Sequence, residues 1–211
     1  MPAALILIAD GTEEIEFVTP YDGTQPLTQA LKLHTAYVLT RAGVAVKSAG
    51  VNLKNESFAI CSRGVRILPD EPSIDKIAAE YDADILILPG GGPGAKTFCD
   101  SDTVLELVKQ FRERGKFVGA ICAGTTALVK SYEKEAGKVQ KVTVTSHPSV
   151  EKEIRDKGWS YSSERVVVDG RVVTSRGPGT ALLFALTIVE MLCGTQKREE
   201  VAGPMIPPAT L

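Results

Sequence analysis

Two runs in the chain, ALILIA (Ala4–Ala9) and DILILP (Asp84–Pro89), are apolar at nearly every consecutive position rather than at every second one. A strand that reads this way is buried on both faces, as happens when helices cover both sides of a parallel sheet. Further short runs fit strands at Val44–Ala49, Lys116–Ile121, Lys141–Thr145, Arg165–Val168 and Arg171–Thr174. Between and after them, helical spacing recurs over Thr24–Ala42, Ile74–Glu80, Asp102–Arg114, Gly124–Glu135, Ser149–Lys157 and Gly179–Cys193. This alternation predicts an α/β sandwich of three layers, with a mostly parallel sheet and helices on both faces. One stretch departs from the pattern: RVVVDGRVVTS joins two β-branched runs through Asp169-Gly170, a hairpin signal. No repeat, linker or low-complexity block divides the 211 residues, so a single domain over 1–211 is expected. The proline-containing tail, 199–211, is expected to be irregular.

A net charge of -2 supplies no basic field, so no nucleic-acid partner is expected. No apolar run approaches the roughly 20 residues that span a bilayer, and no membrane partner is expected either. The start MPAALILIADG is short and lacks the basic flank of a secretory signal. Cys61, Cys99, Cys122 and Cys193 are widely spaced with no CxxC pair, which suits free thiols in a reducing compartment and offers no metal cluster. A cytoplasmic protein, with the nucleus also open to it, is the expectation.

In an open parallel sheet the reactive groups gather beyond the carboxyl ends of the strands. Four expected strands end there in unusual chemistry: ADGTEEIE, PGGGPGAKT, CAGTT and SHPS. In KFVGAICAGTTALVK, Cys122 sits between a buried run and a helical one, flanked by Gly119, Ala120, Ala123 and Gly124. Such a strand–turn–helix corner presents a nucleophile. A helix starting there aims backbone N–H groups at the sulfur, which is expected to lower the thiol pKa from about 8.5 toward roughly 3.5–7.5. Isolated cysteines are more often buried and structural, and Cys61, Cys99 and Cys193 are read so. At Cys122 the corner reverses that reading.

Only His34 and His147 could accept a proton from the thiol. His34 lies in a helix-like segment and reads as packing or solvated. His147, before Pro148, reads either as partner of Cys122 or as a cap of the following helix. Glu13 and Glu14 read as a solvated first helical turn. Glu16 lies between Ile15 and Phe17, both of which call for burial, so its carboxyl is expected to hold a proton near neutral pH and to act as acid or base. The glycine loop fails the P-loop pattern, because Ala95 precedes Lys96-Thr97, and only loosely matches a dinucleotide fingerprint. Its glycines can instead let a backbone N–H approach a substrate oxygen, with the Cys122 corner supplying the second donor of an oxyanion hole.

The segments GAICAGTTAL, LPGGGPGAKT, DGTEEIE, CSR, SHP and TSRGPGTALLFAL, taken in order over residues 4 to 195, resemble the ThiJ/PfpI superfamily, and within it the DJ branch. The resemblance implies a flavodoxin-like sandwich, a homodimer, and Cys122 as nucleophile on a strained backbone. It implies Glu16 hydrogen-bonded to the sulfur, His147 beside it, oxyanion N–H groups from Gly91 and Ala123, and Arg63 and Arg176 lining or buttressing the pocket, partly from across the dimer. The implied activity is that of a glutathione-independent glyoxalase or deglycase on a small 2-oxoaldehyde, without cofactor or metal, with an oxidative-stress sensor as the alternative. Two features depart from the family pattern. Ala123 stands where the protease-like branches carry histidine, so a peptidase triad is not expected. About 15 residues, 23–37, form an extra segment in the region of the first helix.

Overall fold

The computed structural model describes residues 1–20, 38–77, 81–133 and 141–207. The extra segment at 23–37, His34 and most of the helix expected over Thr24–Ala42 lie outside the described residues. The strands are β1 (Ala3–Ile8), β2 (Ala45–Gly50), β3 (Ala59–Ile60), β4 (Arg66–Ile67), β5 (Ile85–Leu88), β6 (Phe117–Ile121), β7 (Val166–Asp169) and β8 (Val172–Ser175). The helices are α1 (Glu14–Val18), α2 (Val38–Arg41), α3 (Gly92–Asp100), α4 (Asp102–Glu113), α5 (Thr125–Glu133), α6 (Pro148–Asp156), α7 (Ala181–Cys193) and α8 (Thr195–Met205).

Six strands form one sheet in the order β2-β1-β5-β6-β8-β7. All neighbours are parallel except β7, which pairs antiparallel with β8 through the expected Asp169-Gly170 turn. Both predicted apolar runs earn their composition. Ala4, Ile6 and Ile8 of β1 face a core with α2, α7 and α8, whereas Leu5, Leu7 and Ala9 face a second core with α4, α5 and α6. Alternation along one strand thus serves two helical layers. The order reverses at β1, since the chain moves outward to β2 and then returns to β5 on the other side. The carboxyl ends of β1 and β5, on either side of this reversal, are where such sheets bind ligands in a crevice.

Three expectations need correction. The strand foreseen at Lys141–Thr145 is absent; only an isolated bridge, Val144 to Tyr161, forms there. Its N–H groups are taken up singly: Thr143 by Asp169 Oδ2 at 2.7 Å, Val144 by Ser160 O at 3.0 Å, Thr145 by Thr174 Oγ1 at 2.9 Å and Ser146 by Tyr161 Oη at 3.2 Å. β6 already pairs with β8, so no slot in the sheet is left for this run. The tail expected to be irregular from 199 is helical through Met205, because Val201 is buried against the α2–α7 core and holds α8 on it. Pro204 falls in its last turn, after which Ile206 turns left-handed. Finally, Ile74–Lys76 makes a 3-10 turn, and residues 78–80 of the helix expected there lie outside the described residues. The two-residue strands β3 and β4 form a small hairpin that no apolar run announced.

Candidate active site

Three loops meet in the crevice. Residues 9–13 follow β1 and lead into α1, residues 89–91 follow β5 and lead into α3, and the Cys122 corner follows β6. Thr12 closes the first loop: its Oγ1 accepts from Ala9 N–H at 3.0 Å and Glu13 N–H donates to Gly90 O at 3.1 Å, which ties the β1 loop to the β5 loop. The β3–β4 hairpin clamps the same loop from outside, with Gly11 N–H donating to Ile60 O and Ser62 N–H to Thr12 O, each at 2.8 Å.

Cys122 begins a 3-10 turn, Cys122–Gly124, that leads into α5. Its φ of 61° is left-handed, a conformation that costs an L-residue about 1–2 kcal/mol and is maintained only by its surroundings. The thiol is 8% exposed. Glu16, on α1, is fully buried at 0% exposure, and its Oε2 accepts from Gly90 N–H at 2.8 Å. Its other oxygen, Oε1, has no hydrogen-bond partner among the described residues. A methyl group placed on Gly177 would lie 4.0 Å from that Oε1 and 3.5 Å from Cδ2 of His147, so carboxylate and imidazole flank one spot.

The electrostatics of the pair differ from the sequence expectation. Burial pushes the Cys122 thiol up to about 12; the charge of Glu16 and a hydrogen bond with it push the same way. The backbone N–H groups of Ala123 and Gly91 point at the sulfur and pull the value down, but they do not win against desolvation. A helix start is present as expected, but the corner is dry, and that outweighs it. Burial likewise raises the Glu16 carboxyl to about 7, against the lowering effect of its bonds to Cys122 and Gly90. Two acids this close in a dry space titrate as one unit. Once the shared proton rests on Glu16, the charge opposing a thiolate is gone and both N–H groups favour it.

His147 is exposed and caps α6: its Nδ1 accepts from Ser149 N–H at 3.2 Å and lies 2.8 Å from Ser149 Oγ. An accepting Nδ1 puts the proton of the neutral ring on Nε2, so this nitrogen can donate toward the crevice. Within the one chain described, the Arg63 and Arg176 side chains form no hydrogen bond to Cys122, Glu16 or His147. Arg63 is exposed on the hairpin and its Nη1 donates to Ser62 O at 3.3 Å, while Arg176 donates from Nη1 to Ser163 O at 3.0 Å. Glu14 is not solvated as expected; it is buried, accepts from Arg63 N–H at 2.8 Å and from Ser62 Oγ at 2.7 Å, and is thereby held below the ordinary carboxylate range against the upward push of burial. Ile15, expected inside, is 52% exposed, whereas Phe17 is buried. Among the described residues, no group of three or more His, Cys, Asp or Glu could hold a metal ion.

A family model described as the DJ-1/PfpI family matches residues 2–191. The chain belongs to the DJ-1/PfpI family. It is 39% identical over 204 residues to the Parkinson disease protein 7 homolog of Danio rerio, with 96% of each chain covered. It is 33% identical over 207 residues to the glutathione-independent glyoxalase DJ-1 of Schizosaccharomyces pombe, covering 95% of this chain and 96% of that one. The crystal structure of Drosophila melanogaster DJ-1beta superposes with a TM-score of 0.82 at 36% identity, over 97% of both chains.

Within this DJ-1/PfpI site, sequence reasoning missed Gly90, which sits between Cys122 and Glu16, and Gly177, which sits between Glu16 and His147. A glycine run was visible, but which member faced Glu16 depends on how β5 meets β1. A Cβ at Gly90 would lie 2.6 Å from Cys122 Cβ and 2.6 Å from Glu16 Oε2, so only glycine lets the two approach. Gly91 has φ of 82° and caps α3, which turns its N–H inward to the sulfur. Gly90→Ala is expected to cost about 1–3 kcal/mol of stability by overpacking and to separate the pair. Urea unfolding measures the first effect and iodoacetamide reactivity of Cys122 against pH measures the second.

Proposed function

We propose that the protein is a glutathione-independent glyoxalase that converts a small 2-oxoaldehyde, methylglyoxal or glyoxal, to the corresponding 2-hydroxy acid. The observation that carries this reading is the buried Glu16–Cys122 pair, whose spare carboxylate oxygen has no partner among the described residues and whose sulfur receives two backbone N–H groups. The Schizosaccharomyces pombe relative carries that activity in its name.

The Cys122 sulfur attacks the aldehyde carbon, forming a C–S bond, and the carbonyl oxygen takes up charge facing the Gly91 and Ala123 N–H groups. Glu16 delivers its proton to that oxygen, completing a hemithioacetal. The resulting carboxylate removes the hydrogen of the same carbon as a proton and passes it to the neighbouring ketone oxygen, giving an enediol. It then takes the proton of the first hydroxyl and returns it to the second carbon, leaving a thioester of the 2-hydroxy acid. Water cleaves the thioester and restores the pair with its single proton. No electrons leave the substrate; one carbon is oxidised and its neighbour reduced. His147, donating from Nε2, steadies the substrate oxygen beside Glu16.

The narrower lyase assignment with D-lactate as product, and a deglycase action on early aldehyde adducts of Cys, Lys or Arg, use the same carbons and belong to the same proposal. So does a homodimer. Ile15, Ile60, Val65 and Leu68 are exposed on α1 and around the β3–β4 hairpin, beside the crevice, and apolar clusters of this kind mark interfaces. Ile15→Glu with Leu68→Glu is expected to shift the mass in light scattering to that of one chain; an unchanged mass rejects this face.

D-lactate formation from methylglyoxal without glutathione tests the activity. A folded, reduced protein that makes none is not a glyoxalase for this substrate. A second use of the thiol, as a sensor, is favoured by the buried Glu16 carboxyl bonded to Cys122, which when protonated donates a hydrogen bond to an oxygen added on sulfur. Sulfinate at Cys122 under mild peroxide, in a protein without aldehyde turnover, would select it.

A further inference from the structure

His147 stands on a segment that the sheet does not hold. The two peptide units ahead of it are fixed by side chains from three separate elements. Thr145 N–H donates to Oγ1 of Thr174 in β8 at 2.9 Å, and Thr145 O accepts from Oγ1 of Thr125, the first residue of α5, at 3.2 Å. Ser146 is held by a single phenol: its N–H lies 3.2 Å from Tyr161 Oη, its carbonyl 3.0 Å and its Oγ 3.1 Å. The Tyr161 ring is itself stacked under the Arg155 guanidinium of α6 at 4.7 Å, and its backbone makes the bridge to Val144. Ser146 Oγ donates on to His147 O at 3.0 Å.

We propose that Tyr161 is a positioning residue for His147, its hydroxyl fixing the peptide from which the imidazole reaches the spot beside Glu16. The phenol touches neither Cys122 nor Glu16 in any recorded contact; it acts through Ser146. Without the hydroxyl, Ser146 N–H and C=O lose this partner, and the peptide ahead of the imidazole is held only by Ser146 Oγ on His147 O and by the Thr145 bonds before it. The ring, its stack on Arg155 and the Val144 bridge do not need the oxygen, so Tyr161→Phe removes the clamp and leaves the packing. A displacement of about 1 Å at a reacting group can lower a rate by up to about 100-fold.

This inference rests on the glyoxalase reading and on His147 serving it. The test is a double-mutant cycle on D-lactate formation, combined with imidazole NMR, which is simple because the chain holds two histidines. Tyr161→Phe is expected to lower kcat about tenfold with KM within about twofold, and to change kcat by less than about twofold in a His147→Ala background. A Tyr161→Phe protein with full kcat, or with the same loss in both backgrounds, overturns the proposal. If His147→Ala leaves turnover intact, it is His147 that has no part in catalysis, and the proposal falls with it. If the wild type makes no D-lactate, the glyoxalase reading falls separately and the spectrum still decides on Tyr161. One sharp set of His147 ring signals, split or broadened in Tyr161→Phe, supports the clamp; identical spectra reject it.

Discussion

Cys122→Gly is expected to abolish aldehyde turnover while leaving the protein as stable as before or more so. The first half follows from the proposed bond between the thiol sulfur and the aldehyde carbon; removing a nucleophile of this kind costs at least about 10³-fold. The second half follows from φ of 61° at a residue with a side chain. Glycine adopts that conformation freely, so the variant releases strain of about 1–2 kcal/mol, offset in part by glycine's larger entropy in the unfolded chain. A net gain of about 1 kcal/mol corresponds to a melting temperature raised by about 2–4 °C in a chain of this size. Calorimetry and the D-lactate assay on the same preparation decide the matter. Turnover above about a hundredth of wild type would remove Cys122 from the chemistry. A clear fall in melting temperature would show that the strain released is smaller than the burial lost with the side chain.

Glu16→Gln is the second large effect, and it separates catalysis from stability by pH. Loss of the proton shuttle is expected to lower kcat by about 10²–10⁴-fold, with the fold retained, because glutamine Oε1 can still accept from Gly90 N–H. The linkage has a definite sign. The native carboxyl holds its proton up to about 7, whereas the ordinary value is 4.5, so between these limits the native state binds more protons than the unfolded one. Stability contributed by this group is complete below 4.5 and is lost as pH rises to about 7, by about 3 kcal/mol across the window. Glutamine has nothing to titrate, and the falling slope should vanish from urea unfolding midpoints measured across that range. Glu14 and Asp84, both held below the ordinary range, act under pH 4.5 and leave the window clear. A wild-type curve that is flat between 4.5 and 7 would mean that Glu16 is ionised in the native protein.

The parts of this protein that are written locally could be read from its residues. Double-sided apolar runs gave the layered sheet, Asp169-Gly170 gave the one antiparallel pair, and small residues around Cys122 gave the corner. Glu16 was legible because burial at Phe17 leaves its neighbour no route to water, although Ile15 on the other side turned outward. What escaped was set by contacts distant in sequence. Lys141–Thr145 has strand composition, yet β6 and β8 already occupy adjacent places, and its N–H groups go mainly to side chains. The thiol's upward shift also escaped, because a helix start is visible in sequence and dryness is not. Glu14 was misread for the same reason: Ser62 and Arg63, its partners, arrive from a hairpin nearly fifty residues later.

The order of the strands has a kinetic corollary. Glu16, Gly90 and Cys122 leave β1, β5 and β6, which are neighbours in the sheet but far apart along the chain, and parallel pairing of this kind closes long loops before any contact is made. During synthesis Cys122 is an ordinary thiol until about 120 residues have emerged and three strands have zipped together. The centre therefore exists only once strands distant along the chain have paired, and a chain that has lost β1, β5 or β6 from the sheet has no such centre.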